Sequence, residues 1–164
     1  MDSTEDLQQM EQILREESVG YLGMTANGEL YVIPINYTYV DGRILFHCAL
    51  EGRKLDMIRA NPNVCFTVGR QHGEPTEHVG RNCDAPFESV ICWGTARVVD
   101  DLDERHLILQ QFQQRYATPE NPRTELARER VANCGAVEIV VTRMTGRSAK
   151  GPHSARWQWS VEAD

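Results

Sequence analysis

Two dipeptides, Asn27-Gly28 and Asp41-Gly42, constrain this chain more than any other feature. Asn or Asp followed by Gly tolerates positive φ at both central positions of a two-residue turn, which is what a twisted antiparallel hairpin needs. Each stands between runs rich in β-branched and aromatic residues. Val19 to Thr25 reads as one strand, Leu30 to Val40 as a second, and Arg43 to Ala49 as a third. The expectation is a three-strand antiparallel meander.

Around that meander the periodicity changes. Leu7, Met10, Ile13 and Leu14 share one helical face, behind Ser3 and Thr4 as caps and with acidic Glu5 and Asp6 at the positive end. A short helix is predicted from Arg53 to Ala60, closed by Asn61-Pro62, because Pro62 has no N–H and restricts its neighbour. Val64 to Gly69 and Phe87 to Val99 read as strands flanking a long loop at 71–86. Asp100 to Glu104 opens a helix with Leu109, Phe112 and Tyr116 on one stripe. A further helix is expected over Arg123 to Ala132, then a last strand from Ala136 to Arg143. Short strands in this order favour a closed or split antiparallel β-barrel with flanking helices over a parallel sheet. At 164 residues the chain is read as a single domain, 1–164, with its core at about 10–147 and a C-terminal tail at 148–164.

Charge narrows the partners. The net charge of −7 disfavours nonspecific binding to nucleic acid or to an anionic membrane surface, while leaving room for a local phosphate pocket. The acidic start, Met1 to Asp6, does not resemble a secretory signal, and no run is apolar enough to span a bilayer, so the expected location is cytoplasmic. The five cysteines show no C-x-x-C spacing and are read as free thiols, with Cys65 a small core residue. His72, His78 and Cys83 share the 71–86 loop, but they match no zinc-finger spacing and no metal is expected.

Chemistry is concentrated in Phe46 to Lys54. A strand ends, Gly52 permits a tight turn, and a helix starts with two cations, Arg53 and Lys54, at the end where exposed N–H groups are already positive. Either these cations point into solvent, or they and the N–H groups converge on a phosphate. His47 is a proton donor or a half-buried polar wall. Pro34, inside Tyr31 to Tyr37, cannot donate to a ladder, so its strand lies at an edge or is bulged, with backbone groups open to a planar heterocycle or to another chain. Trp157 and Trp159, at period-two spacing, cover a cofactor, a partner subunit or the protein's own core. No Walker, G-x-G-x-x-G, G-x-S-x-G or H-E-x-x-H motif is present.

Taken in order, Val32 to Asn36, Leu45 to Ala49 with Gly52 to Lys54, Asn61 to Phe66, Glu88 to Gly94 and Met144 to Gly146 resemble the pyridoxamine 5′-phosphate oxidase-like proteins, and among these the nitroimidazole-resistance branch. The resemblance covers about residues 10–147. It implies an FMN-binding split barrel and a homodimer with two FMN sites at the interface. It further implies that backbone at Ile33, Pro34, Ile35 and Asn36 lines the flavin ring and that His47 and Cys48 line the cleft. Arg53 and Lys54 would take the phosphate, with Ser89 a further ligand. The implied activity is an FMN-dependent oxidoreductase reducing a small, planar, electron-poor substrate such as a nitroaromatic, with His47 as a catalytic proton donor. A non-enzymatic flavin protein for storage or redox sensing, and a haem or deazaflavin binder on the same barrel, are the alternatives.

Overall fold

In a computed structural model that describes residues 3–74, 85–150 and 153–161, the two turn dipeptides take the backbone their residue types favour. Asn27 and Gly28 have φ of 53° and 79°, Asp41 and Gly42 of 48° and 75°. The first joins β1 (Val19–Ala26) to β2 (Glu29–Asn36) and the second joins β3 (Thr38–Val40) to β4 (Arg43–Cys48). These hairpins do not form the expected meander. The run from Leu30 to Val40 breaks at Tyr37, and β2 and β3 lie at opposite ends of the sheet.

The remaining elements are α1 (Ser3–Glu16), α2 (Arg53–Ala60), β5 (Asn63–Gln71), β6 (Phe87–Val98), α3 (Leu102–Tyr116), α4 (Arg128–Ala132), β7 (Gly135–Lys150) and β8 (His153–Ser160). All strand pairings are antiparallel, along the path β2-β1-β5-β6-β7-β4-β3, with β8 also on β7. The path starts and ends on segments separated only by Tyr37, so the sheet must curl until its two ends approach each other. That topology is the antiparallel barrel expected of the sequence. Its bend is sharpened at Trp93 and Gly94, where the β6–β7 register shifts.

At Tyr37 the chain leaves the ladder: its backbone carbonyl accepts from the Tyr116 hydroxyl, and its ring is wholly buried, edge-on to Phe66 at 4.8 Å. One core fills the barrel. Met10, Ile13 and Leu14 of α1 enter it beside Leu22, Phe46, Phe66 and Ile139. A second cluster, Leu45, Val99, Ile108 and Ala136, joins β4 and β7 to α3 on the opposite face. Asp101 caps α3, accepting from the Asp103 and Glu104 N–H groups at 3.0 and 2.9 Å.

Two expectations are corrected. The helix expected over Arg123 to Ala132 is a single turn and a half, Arg128–Ala132, since residues 118–127 make a polar loop. The tail is not separate from the core. Residues 143–150 of β7 and residues 153–160 pair as a hairpin, and Trp157 and Trp159 pack against the barrel core. Among the described residues no helix is long and apolar enough to cross a membrane.

Candidate functional site

The end of β4 and the start of α2 place the residues of the Phe46–Lys54 segment. Gly52 is the N-cap of α2 with φ of 135°, a backbone that disfavours any side chain, and a Cβ there would meet nothing within 4 Å. No side chain caps this helix. The space at its positive end is therefore open, and Lys54 stands beside it without an ion pair among the described residues. Its Nζ lies 5.9 Å from the Phe46 ring.

His47 and Cys48, adjacent on β4, take opposite faces. Cys48 packs toward the barrel core, whereas His47 faces α3, its ring edge-on to Phe112 at 4.5 Å. Both feel Lys54. Partial burial, and then the Lys54 charge, hold the His47 imidazole below its ordinary pKa. Burial raises the Cys48 thiol, and Lys54 partly offsets that rise. His47 is accordingly neutral at pH 7, and Cys48 is a protonated thiol.

His47 also borders a cavity of about 400 Å³ between α3, the 118–127 loop and α4. Phe112, Tyr116 and Leu126 give it apolar walls, while Asn121, Thr124 and Arg130 give it polar ones. Little in the sequence signals this cavity, since residues 123–127 of the loop beside it carry the pattern of a helix. The Phe112 and Tyr116 stripe was the one visible signal.

The other expected residues are distributed. Arg53 does not converge with Lys54: its guanidinium pairs with Glu29 and stacks on Tyr31 at 4.5 Å, at the start of β2. Among the described residues β2 pairs with β1 alone and is an edge strand, one of the two arrangements that Pro34 allows. Pro34 and Asn36 lie on its exposed side, and the Asn36 amide donates to the Ser18 carbonyl at 3.1 Å. Ile33 is half-buried against the core, and Ile35 is buried within it. Ser89 is opposite Arg147 on β7, whereas His47 is opposite Ala136, so within one chain the two lie near opposite ends of that strand. Of the loop residues considered for metal, His72 instead lies 2.8 Å from Glu88, and His78 and Cys83 fall outside the described residues. Among the described residues no cluster of three potential metal ligands occurs.

The edge strand, the uncapped α2 terminus and the curled antiparallel sheet are joined by one further result. The sequence model of the pyridoxamine 5′-phosphate oxidase family matches residues 6–148. The chain belongs to that family. Among solved structures, this family member is similar to a protein from Bacteroides thetaiotaomicron provisionally described as a 5-nitroimidazole antibiotic resistance protein. The two are 27% identical, with a TM-score of 0.72 over 85% of this chain and 81% of the other. Its fold is shared with a flavocytochrome from Azotobacter vinelandii (18% identity, TM-score 0.76, 95% and 78% covered). It is also shared with an FAD and haem binding protein from Mycobacterium smegmatis (14% identity, TM-score 0.77, 95% and 74% covered). No curated protein matches the chain.

Proposed function

We propose that this family member binds FMN in a cleft completed by a second copy of the chain and reduces a small, planar, electron-poor compound such as a nitroaromatic. The observation that carries the reading is the α2 N-terminus: an uncapped helix end, open space at Gly52, and an unpaired Lys54 whose charge reaches His47 and Cys48. A compact phosphate matches that donor set, since backbone N–H groups and a cation both favour an anion. Bound there, the flavin supplies the electron transfer.

The rest is done by this chain's residues. Lys54 holds the phosphate end, and Arg53 can join it only by leaving Glu29. The open edge of β2, with Pro34 and Asn36 outward, gives the planar ring system a wall of backbone. His47 feels the Lys54 charge and borders the 400 Å³ cavity, and its protonated fraction, small at pH 7 and growing toward acid, donates the proton that a reduced substrate takes up. Phe112 and Tyr116 give an aromatic substrate an apolar surface to lie on.

A second copy is argued from the sheet. Val19, Tyr21, Leu30, Val32 and Ile91 are all exposed, Leu30 by 82% and Val32 by 64%. The pairing registers put all five on one outer face, with Tyr21 opposite Pro34 and, on its other side, Thr67. An apolar area of that extent is what an interface between subunits uses.

The test is the visible spectrum of the protein after FMN is added and unbound material removed by desalting, followed by turnover of a nitroaromatic with a chemical reductant. Retention of a two-band flavin spectrum, lost in Lys54→Ala, supports the site. A colourless wild-type protein overturns the reading, and a single intense haem band replaces it.

A further inference from the structure

On the same outer face as Val32 and Ile91, three strands carry one row of polar residues. Ser89 of β6 is directly opposite Arg147 of β7, and Arg147 is directly opposite Arg156 of β8. Both arginines are exposed, alternate with buried or half-buried neighbours, and so point outward together. Arg147 lies over the Phe87 ring at 5.4 Å, which confirms its direction. Cβ atoms of directly opposed residues are about 5 Å apart, and like charges in that position repel.

Neither guanidinium has an ion pair among the described residues. The surroundings do not neutralise them either. Among the described residues, the outward positions beside this pair (Phe87, Ser89 and Ile91 on β6, Thr145 and Ala149 on β7, Ser154 and Gln158 on β8) include no Asp or Glu, although the chain as a whole carries −7. The outward carboxylate of β7, Glu138, lies toward the other end of that strand and is held by Arg43 and Arg97. A further exposed cation, Arg143, stacks on Trp93 at 3.7 Å on this face. Cations concentrated on one face of an acidic protein, opposed to each other and left unpaired, are arranged for an anion from outside.

We propose that Arg147, Arg156 and Ser89 form an oxyanion site, separate in this chain from the Lys54 terminus, that takes the phosphate or carboxylate group of a small molecule. Two guanidinium forks and a hydroxyl supply donors in a line, and the neighbouring Phe87 and Ile91 accommodate the apolar remainder of such a ligand. The site also bears on assembly. If the face closes on a second copy, it takes these unpaired cations out of water, and a bound anion then offsets their charge. The anion has two sources, the cofactor's own phosphate reaching across from a partner chain or an independent anionic ligand.

The experiment titrates the full-length protein with inorganic phosphate by calorimetry, at constant ionic strength in chloride buffer. Arg147→Gln and Arg156→Gln are each expected to weaken phosphate binding at this site by about tenfold or more, while Lys54→Ala leaves it intact. Melting provides the second reading. In phosphate-free buffer each single variant, relieved of the opposed charge, melts about 1–3 °C above wild type, and phosphate raises the melting temperature of wild type by more than that of the double variant, which keeps only the Lys54 terminus. Phosphate binding unchanged in the double variant, or equal stabilisation of both proteins by phosphate, overturns the proposal.

FMN and riboflavin titrations then separate the two sources. A loss of FMN affinity in the double variant, with riboflavin unaffected, makes the cofactor's phosphate the occupant. Unchanged FMN affinity beside lost phosphate binding makes it a second ligand. The proposal stands or falls on phosphate binding, whether or not the protein retains flavin.

Discussion

The Tyr37 hydroxyl donates to the backbone carbonyl of Leu14 at 2.8 Å. Leu14 lies in the last turn of α1, where carbonyls have no partner within the helix. The side chain at the break between β2 and β3 therefore completes the helix that enters the barrel. Tyr37→Phe keeps the ring and removes the hydrogen bond, leaving a buried carbonyl without that donor. The expected loss is about 1–3 kcal/mol, read as a lower urea midpoint with unchanged m-value.

His47 is expected to titrate below 6.5, because burial and Lys54 both disfavour the imidazolium. The sign of its effect on stability follows. The unfolded chain binds the proton more readily, so the contribution is fully present above pH 6.5 and is lost as pH falls through the folded-state value. Histidine NMR titration checks this. Lys54→Ala should raise the His47 pKa without restoring 6.5, since burial is the larger cause.

If His47 supplies a proton to substrate, His47→Gln should retain flavin and lose about 10²-fold in kcat. In wild type the rate should rise toward acid as the protonated fraction grows. A flavin-saturated His47→Gln protein with wild-type kcat and the same pH profile would remove His47 from the chemistry.

Gly146 is packed too closely for any side chain. A Cβ there would lie 2.7 Å from Trp157 Cε3 and 2.9 Å from Met10 Cγ. Gly146→Ala should therefore cost about 1–3 kcal/mol by overpacking, measured by thermal melting. Because the collision is with β8 and α1, the indole fluorescence of Trp157 should shift as well.

Glu138 is buried on β7 and accepts from Arg43 at 3.0 Å and Arg97 at 2.6 Å. Both arginines are partly exposed and can return to water when the carboxylate is removed. Glu138→Ala should then cost only about 1–2 kcal/mol, below the 3–5 kcal/mol typical of stranding a buried charge. Denaturant midpoints of the two proteins decide it.

Local chemistry made much of this architecture legible. The bounds of α2, Arg53–Ala60, follow from Gly52 before it and Pro62 after it, and the two Gly-containing turns needed only their dipeptides. Tyr37 gave no such signal. An aromatic residue within an alternating run reads as strand, and the partners that hold Tyr37 off the ladder, Phe66 and Leu14 on its side chain and Tyr116 on its carbonyl, are distant in sequence. The hairpin of β7 and β8 is hidden for a related reason: Trp157 and Trp159 alternate as a strand should, but their partner is the extension of β7 past Arg143, which no local pattern marks. At the candidate site, charge pattern located the α2 terminus. It could not show that Glu29, from another hairpin, would draw Arg53 aside.

The placement of the two Gly-containing turns governs how this barrel assembles. Each closes a hairpin of near neighbours, and such hairpins form within microseconds. Yet those hairpins occupy the two ends of the sheet path, and neither can register the middle. The β4–β7 seam brings Arg43 to Glu138, 95 positions along the chain. Loop closure over that distance must precede any gain from the pairing, so the rate of folding is set by the last seam rather than by the first turns.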